Sequence, residues 1–341
     1  MSTIADVAAR AGVSIKTVSK VLNGADTVRP RLKQRIDDAI SDLDYRPALG
    51  ARQLASGKSY IVTLLLAAEG GDYYSRMIME MTRACARYGY HAMVETHAFD
   101  TDLQSDIELR LSCMPDAIVV APPFSNNIRL IEKLAGLGIP FARIEAGDGG
   151  PGIRVPVPGR VAAREMTAHL IAQGHRRIGM LAAVSEDYPA DDRRLGYLDA
   201  LEDAGICPDP RLVVRTNFSF RSGVIAARSL LALADRPTAI FGGSDLAALG
   251  AMACAQDLGF RIPKDLAIAG FDNASDSRIV YPALTTVHQP LEEIIRYCVD
   301  AVLGKAQDAP DFPLRLIVRG STGGAETIVD HPAQDSGGPC A

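Results

Sequence analysis

Polar residues follow two apolar runs that are typical of buried strands, and their side chains could bind hydroxyl groups. Ser244 and Asp245 come after the run 238–241, and Asp272 comes after the run 266–270. In open α/β sheets, ligands bind outside the carboxyl ends of the strands, where these residues would lie. A carboxylate can accept hydrogen bonds from two adjacent hydroxyls, so the pattern favours a polyol. For Asp245 we prefer a structural role, as the N-cap of the helix that begins there.

A second set of residues could contact nucleic acid. The segment 15–22 has apolar residues at helical spacing, Val18 and Val21 among them, so one face of a helix would be buried. The opposite face would stay free to enter a major groove. That face carries Ile15, Lys16, Thr17 and Lys20.

The chain has no motif typical of an enzyme or of a metal site. GxSxG, HExxH and GxxxxGK[ST] are absent, and no GxGxxG follows a strand. His169 and His175 lie six residues apart across a helix end, a separation that metal ligands do not use, so helix-end packing is the better interpretation. The six cysteines are dispersed without a CxxC pair, which argues against a zinc site or a disulfide framework. We therefore predict no catalytic residue, no metal and no cofactor.

The charge is distributed unevenly. Residues 1–58 contain ten Lys and Arg against six Asp and no Glu, a balance of +4, and the whole chain carries −5, so the remainder carries −9. A basic head on an acidic body is typical of a DNA-binding protein, because phosphates attract the head. The longest apolar run, 60–68, is too short to cross a membrane. Without a recognisable signal peptide, we expect a cytoplasmic, nucleoid-associated protein with reduced thiols and no membrane partner.

The head has the local signals of three helices. Thr3 and Asp6 form a near capping box before a helix over 4–11, Gly12 can end that helix, and Ser14 can cap the next. A third helix over 31–43 completes the pattern. The sequence therefore predicts a helix-turn-helix. Its third helix would turn Leu32, Ile36, Ala39, Ile40 and Leu43 inward.

From residue 60 onward, apolar runs alternate with helical stretches, which predicts βαβ winding in two doubly wound sheets. Glycines 89, 174, 205 and 259 mark helix ends. The pattern alone fits a Rossmann enzyme or a periplasmic binding protein equally well. The predicted strands are 61–67, 91–95, 117–121, 141–145, 177–182, 212–215, 238–241 and 266–271, and the predicted helices are 73–88, 102–112, 126–136, 159–173, 192–204, 220–233 and 244–258.

Over its full length the chain resembles the LacI/GalR repressors, most specifically in the segments 3–8 and 11–24. The resemblance implies that Ile15, Lys16 and Lys20 face base edges. It also implies that five polar residues, which we call the phosphate group, position the head on the DNA phosphates. Relatives commonly have Arg at the position of Lys20. Lysine cannot donate the two parallel hydrogen bonds that arginine forms with guanine, so discrimination between bases at this position should be weaker. The phosphate group consists of Thr3, Ser14, Thr17, Ser19 and Asn23.

The segment 47–58 resembles the hinge helix of that family, which folds on the operator and inserts a leucine into the minor groove. Leu54 occupies the position of that leucine, with Ala51 and Ala55 beside it. The alternative is an exposed linker, and both can hold at different times because so short a helix is marginal in water. Ala48 stands where relatives commonly have an asparagine, which leaves in doubt the backbone or phosphate contact made at that position.

The resemblance implies a fold in five parts: an all-α helix-turn-helix DNA-binding head plus an α/β periplasmic-binding-protein-like body of two doubly wound subdomains, with a hinge and a tail. The boundaries are 1–46 for the head, 47–58 for the hinge, 60–158 plus 291–318 for the first subdomain, 159–290 plus 319–329 for the second, and 330–341 for a flexible tail.

The same resemblance assigns a sugar effector to the cleft between the subdomains. Arg193, Ser244, Asp272 and Gln289 match positions that commonly hydrogen-bond a sugar. The segment 156–159 lacks the acidic or amide pair that relatives often have there, so that contact is expected to be lost. Further candidates are Phe218, which could stack on a sugar or belong to the core, and Glu145, Tyr73 and Tyr74 from the first subdomain.

These observations predict a homodimeric repressor that binds a pseudopalindromic operator and responds to a small carbohydrate. Its target genes would serve carbohydrate uptake or catabolism. Two other classes fit the body alone. One is a transport receptor, and the other is a carbohydrate enzyme with Asp272 and Glu145 as its acid and base. Neither explains the head.

Overall fold

The computed structural model describes residues 2–22, 28–45, 49–68, 71–97, 109–147, 149–183, 191–306, 308–324 and 327–329. It forms two compact units, Met1–Tyr60 and Ile61–Ala341, each of which is treated by itself. Asn23, Ala48 and the predicted tail 330–341 lie outside the described residues, as do the side chains of Ala51, Leu54 and Ala55.

The first unit is helical, as predicted. Thr3 and Asp6 form a complete capping box on the first helix, and Gly12 ends that helix in the left-handed conformation, with φ at 62°. Ser14 Oγ accepts the backbone N–H of Thr17 at 3.2 Å and so caps the second helix. The helices are α1 Ile4–Ala11, α2 Ile15–Leu22, α3 Pro30–Asp42 and α4 Leu49–Ser56.

A small apolar core joins α1, α2 and α3 and confirms the helix-turn-helix. Leu32, Ile40 and Leu43, all predicted to point inward, pack against this core as partly buried side chains. Its buried members are Val7, Ala8, Ala11, Val18, Val21, Ile36, Ala39 and Tyr45.

The second unit begins with a five-stranded parallel sheet of order β2-β1-β3-β4-β5. Leu64, Leu65 and Leu66 of its central strand are almost completely buried, because helices cover both faces. The strands are β1 Ile61–Ala67, β2 His91–His97, β3 Ala117–Val120, β4 Phe141–Ile144 and β5 Ile153–Val155, with helices α5 Gly71–Ala86 and α6 Ile128–Gly136.

A second parallel sheet follows, of order β7-β6-β8-β9. Close helix pairs cover it. A Cβ on Gly223 of α9 would lie 2.2 Å from the backbone oxygen of Ala247 in α10, so only glycine permits this approach. The elements are α7 Gly159–Ala172, β6 Ile178–Ala183, α8 Asp192–Asp203, β7 Val213–Thr216, α9 Phe220–Leu231, β8 Ala239–Gly242, α10 Asp245–Asp257 and β9 Ala267–Ala269.

A third, antiparallel sheet completes the chain, and the sequence patterns had not predicted it. It consists of β10 Thr286–His288, β11 Arg315–Val318 and β12 Thr327–Val329. Between β10 and β11, the helix α12 Leu291–Val302 returns to pack against α5 and the first sheet. The short helix α11 Asp276–Ile279 precedes β10. The chain thus leaves the third sheet after β10 and comes back to it with β11.

Two predicted elements need correction. The predicted helix 102–112 falls largely outside the described residues, and its described part, 109–112, is not helical. The helix predicted over 244–258 begins at Asp245, so Ser244 and not Asp245, as predicted, is its N-cap. β5, α11 and α12 were missed. Among the described residues no helix has the length and apolar character needed to span a membrane.

Candidate functional site

The outer face of α2 is exposed, as a groove-reading helix requires. Ile15 has 51% of its surface exposed, and Lys16 and Lys20 are exposed beside it. Val18 and Val21 anchor the opposite face in the core of the head. The helix therefore presents one apolar side chain and two point charges, which suit contacts with thymine methyl groups, base acceptors and phosphates.

Hydroxyl groups at the N-termini of α1 and α2 hold the two helices in place. Thr3 Oγ1 donates to Asp6 Oδ2 at 2.7 Å, and this bond lowers the pKa of the Asp6 carboxyl. The Ser14 and Thr17 hydroxyls lie 2.8 Å apart and hydrogen-bond to each other. Ser19 is half-buried on α2. The predicted phosphate contacts of these residues stay predictions.

The hinge segment is helical over α4 and is tied to the residues that follow it. Gln53 Nε2 donates to the backbone oxygen of Ser59 at 2.7 Å, and the Arg52 guanidinium lies 3.7 Å from the centroid of the Tyr60 ring. Gly57, with φ at 69°, ends the helix. The minor-groove role of Leu54 remains a prediction.

A polar cluster forms where the carboxyl ends of the two parallel sheets face each other. Glu145 follows β4, Asp272 follows β9, and Arg193 lies in the first turn of α8. Arg193 Nη2 lies 3.3 and 3.4 Å from the two carboxylate oxygens of Glu145. Arg193 Nη1 lies 3.7 Å from Asp272 Oδ1. One guanidinium thus bridges two carboxyl groups supplied by different sheets.

Aromatic rings and a backbone carbonyl fix the position of this guanidinium. Arg193 Nη1 donates to the backbone oxygen of Gly243 at 2.5 Å. The guanidinium carbon lies 4.0 Å from the centroid of Phe271 and 5.7 Å from that of Phe218. Phe218 is half-buried, and its ring lies next to this guanidinium. The arrangement combines hydrogen-bonding groups with an apolar ring face.

Asp272 is buried and shares a hydrogen bond with Gln289. The Gln289 Nε2 group donates to Asp272 Oδ1 at 2.7 Å. Gln289 is completely buried, and its Oε1 has no hydrogen-bond partner among the described residues. Burial raises the pKa of the Asp272 carboxyl to about 7, although the nearby Arg193 opposes the shift. The pair therefore offers an acceptor without a donor and a carboxyl that titrates near neutral pH.

Two tyrosines in the first turns of α5 extend the cluster. Tyr73 Oη donates to Glu145 Oε1 at 3.4 Å, and burial together with that carboxylate raises the pKa of Tyr73 well above its usual value. Tyr74 Oη donates to the backbone oxygen of Pro122 at 2.6 Å. Tyr73 therefore joins the polar cluster, whereas the Tyr74 hydroxyl is used to anchor α5.

Ser244 and Asp245 both have structural roles, and the N-cap of α10 is Ser244, not Asp245 as predicted. Ser244 Oγ donates to the backbone oxygen of Phe218 at 3.0 Å and accepts the N–H of Ala247 at 3.2 Å, as the N-cap of α10. Asp245 is buried and accepts the N–H of Ala274 at 2.7 Å. Burial, and the charge of the nearby Asp272, raise the pKa of Asp245 well above its usual value.

Sequence reasoning missed three residues: Asn126 and Arg76, which support the cluster, and the buried Arg143, which lies two residues before Glu145. Asn126 Nδ2 donates to the backbone oxygen of Glu145 at 3.1 Å, and Arg143 Nη2 donates to that of Gly149 at 2.5 Å. Arg76 contacts the backbone that carries Asp272. Asn126 comes shortly after β3, so the rule of strand ends could have found it. The other two gave no signal, because Arg143 lies within an apolar strand and Arg76 within a surface helix.

The two histidines considered for a metal site are occupied by packing contacts. His169 Nε2 lies 3.1 Å from Thr322 Oγ1, and His175 Nδ1 lies 2.9 Å from Thr238 Oγ1. Within the described ranges, no three His, Cys, Asp or Glu side chains come together to hold a metal ion.

Two family models match the chain. Residues 3–48 match the bacterial regulatory proteins of the lacI family, and residues 167–322 match a periplasmic binding protein-like domain. The first match covers the helix-turn-helix, and the second covers the whole second parallel sheet and most of its helices.

Curated relatives match over nearly their whole length. The chain is 32% identical to the HTH-type transcriptional repressor PurR of Pectobacterium carotovorum subsp. carotovorum, over 91% of this chain and 93% of the relative. It is 29% identical to the ribose operon repressor of Haemophilus influenzae, over 93% and 96%. It is 30% identical to the HTH-type transcriptional repressor CytR of Escherichia coli, over 94% and 96%.

Solved structures match over the same extent. A complex of the transcriptional regulator CelR with cellobiose is 28% identical, with a TM-score of 0.66, over 94% of this chain and 100% of that one. The lac repressor dimer bound to operator and the anti-inducer ONPF is 25% identical, with a TM-score of 0.74, over 94% and 99%.

Proposed function

Since the chain belongs to the LacI family of bacterial regulatory proteins and is a transcriptional repressor rather than an enzyme, we propose that a small carbohydrate controls it. The carbohydrate would bind in the cluster around Glu145, Arg193 and Asp272. Family membership excludes the interpretation of Glu145 and Asp272 as the acid and base of an enzyme.

The bridging position of Arg193 is the observation that carries this proposal. Its guanidinium lies within 3.7 Å of carboxyl oxygens from both sheets, so a ligand that engages these groups would contact both halves of the body. Adjacent hydroxyls can accept from the guanidinium and donate to the carboxylates. Because two carboxyls face one guanidinium, a neutral polyol fits better than an anionic ligand.

Two further features favour a sugar. The half-buried ring of Phe218 can cover an apolar sugar face, and the free acceptor of Gln289 can receive a hydroxyl hydrogen. Among similar proteins, one is a ribose operon repressor and another forms a complex with cellobiose. On this basis we propose that the target genes serve carbohydrate uptake or catabolism.

We propose further that α2 reads one half of a pseudopalindromic operator in the major groove. Its exposed Ile15, Lys16 and Lys20 would face base edges. The hinge helix α4 would press Leu54 into the minor groove at the operator centre. Two heads are needed for two half-sites, which requires a dimer.

Large apolar side chains exposed on the second unit support a homodimer. Ile225 on α9 has 62% of its surface exposed, and Tyr281 after α11 has 91% exposed. Gln256 of α10 donates to the backbone oxygen of Tyr281, so Tyr281 lies against α10. Exposed apolar side chains on neighbouring helices are typical of a site of protein association. Phe220 of α9, Leu258 directly after α10 and Ile279 of α11 are exposed as well.

The test of the proposed function is a screen followed by a titration. Thermal unfolding is measured with cellobiose, maltose, sucrose and D-ribose, and each sugar that raises the melting temperature is titrated into an operator-binding assay on the DNA upstream of the gene. The salt concentration is held constant, because phosphate contacts make affinity strongly dependent on it. We expect one of these sugars to change operator affinity. Binding of the DNA with no response to any sugar would contradict carbohydrate control, and no DNA binding under any condition would contradict the operator assignment.

A further inference from the structure

Arg76 on α5 holds the backbone of the loop that carries Asp272. Its Nη1 group donates to the backbone oxygen of Asp272 at 3.2 Å and to that of Asn273 at 3.0 Å. Hydrogen bonds from a charged donor are among the stronger ones in proteins. The sequence separation is almost two hundred residues, so only the tertiary structure brings these groups together.

The loop has an unfavourable backbone conformation at this point. Asp272 has φ at 115° and Asn273 has φ at 50°, a region that favours glycine. Residues other than glycine keep such angles only where their surroundings hold them. The N–H of Asp272 donates to the backbone oxygen of Val287 at 2.9 Å, while Arg76 binds the carbonyl side. The Asp272 backbone is thus held from two directions.

A second contact lies one helical turn earlier on α5. Asp72 Oδ2 accepts the N–H of Ser275 at 2.8 Å, and Asp72 Oδ1 accepts the hydroxyl of Ser275 at 3.1 Å. Residues four apart lie on the same side of a helix, so both contacts come from one face of α5. We call these contacts of Asp72 and Arg76 with the loop 272–275 the α5 clasp.

The two sides of the α5 clasp belong to different sheets. Helix α5 follows β1 of the first sheet, whereas the loop follows β9 of the second. Within the second sheet region, Arg319 Nη2 donates to Asn273 Oδ1 at 2.8 Å, and Asp245 binds the N–H of Ala274. Those contacts persist whatever the distance between the sheets, but the α5 clasp requires the sheets to be close.

We infer that Arg76 is a positioning residue that fixes the Asp272 carboxyl for ligand binding only while the two sheets are close together. Binding at Asp272 and closure of the cleft would then favour each other, because each stabilises the same arrangement. The inference rests on the proposed function only in taking a sugar as the ligand. Tyr73, which neighbours Asp72 on α5, contacts Glu145, so one helix would align both carboxyls.

Hydrogen exchange on the ligand-free protein tests the α5 clasp without any sugar. We compare Arg76→Met, Arg76→Lys and the control Arg83→Met, since Arg83 lies on the same helix with a side chain that is 66% exposed. Arg76→Met should accelerate amide exchange over 271–276 by about tenfold. Arg76→Lys keeps the charge but loses the planar fork, so its effect should be smaller. Arg83→Met should leave the exchange unchanged.

Titration with cellobiose and with D-ribose tests the positioning role. For a sugar that binds the wild-type protein, Arg76→Met should weaken binding by about tenfold, and Arg83→Met should not weaken it. In the Asp272→Asn background, Arg76→Met should cause a smaller further loss of sugar affinity, because Arg76 is proposed to act by positioning the Asp272 carboxyl.

The possible results separate the two proposals. Wild-type exchange over 271–276 in Arg76→Met would overturn the α5 clasp, and faster exchange with unchanged sugar affinity would overturn the positioning role. If neither sugar binds the wild-type protein, carbohydrate control by these sugars fails, while the exchange experiment still decides the α5 clasp. General unfolding would also accelerate exchange over 117–120, in which case Arg76→Lys becomes the deciding variant.

Discussion

At the scale of single residues, burial shifts the pKa of a carboxyl group in the proposed binding cluster. Asp272 is 6% exposed, and its carboxyl has a pKa of about 7, whereas a free aspartate titrates near 3.8. Arg193 nevertheless lies close enough to favour the ionised form. Ligand hydroxyls that donate to the carboxylate would add to that preference.

The raised pKa of Asp272 predicts a pH dependence of sugar binding. If hydroxyls donate to the ionised carboxylate, affinity should rise by about tenfold between pH 6 and pH 8, because the ionised fraction rises by that factor around a pKa near 7. Calorimetry at constant ionic strength measures the effect. An affinity that falls over this range would contradict the carboxylate as the acceptor.

The same shift affects stability with the opposite sign. Between about pH 4 and pH 7, the unfolded carboxyl is ionised while the folded one keeps its proton. The folded state therefore binds more protons, and stability falls as pH rises through this window. In Asp272→Asn this fall should be smaller, which thermal unfolding without sugar can measure.

At the scale of elements, close packing of α9 on α10 makes a glycine indispensable. Gly223→Ala would place a methyl group 2.2 Å from the Ala247 backbone oxygen. We expect the free energy of unfolding to fall by about 1–3 kcal/mol, as for other overpacked sites. The control is Gly136→Ala in α6, where a Cβ has no neighbour within 4 Å. That change should stabilise by about 0.5 kcal/mol, and chemical denaturation measures both. Equal effects would contradict the packing argument.

The hinge helix gives a second prediction at this scale. Leu54→Ala preserves helix propensity but removes the side chain proposed to enter the minor groove. Operator affinity should fall by on the order of tenfold, and the bend in the DNA should decrease. Gel mobility of circularly permuted operator fragments reports the bend. The control, Leu137→Ala, removes an equal side chain that is 42% exposed at the end of α6. Wild-type affinity and bending in Leu54→Ala would refute the wedge.

At the scale of the whole molecule, the proposed dimer would place two heads on one operator. A sugar changes operator affinity only by binding more tightly to one of two states of the repressor, and the coupling between sugar and operator is reciprocal. For induction, the sugar must prefer the state with the lower operator affinity. Because the proposed α5 clasp needs the two sheets to be close together, it would favour the closed state of the body, whichever operator affinity that state has.

The exposed apolar surface around α9 and α10 predicts where the dimer forms. Ile225→Asp should convert the protein to a monomer at micromolar concentration and sharply weaken operator binding, because a charge would be buried in the interface. Ile128→Asp on α6 is a matched control, since Ile128 is 68% exposed in a different region. Analytical ultracentrifugation measures the state of association. A dimer that survives Ile225→Asp would place the interface elsewhere.

The amino-acid sequence by itself determined the head, because its signals are local. The capping box of Thr3 and Asp6, the left-handed Gly12 and the apolar spacing of α1 to α3 all act within a few residues of one another. The alternation of strands and helices that predicts parallel sheets was equally clear in the sequence. The expectation that ligands bind at the carboxyl ends of strands identified Asp272. The helix α12 could also have been predicted from its apolar spacing.

Only the tertiary structure decided which polar residues meet, because their partners are far apart in sequence. It made Ser244 the cap of α10, buried Asp245 beneath Ala274 and brought Arg193 between Glu145 and Asp272. The strands of the last sheet, which have three or four residues, are too short to show a period of two, and they form because neighbouring segments pair with them. Arg76 could not be identified from the sequence, because its role depends on a loop that only folding brings next to α5.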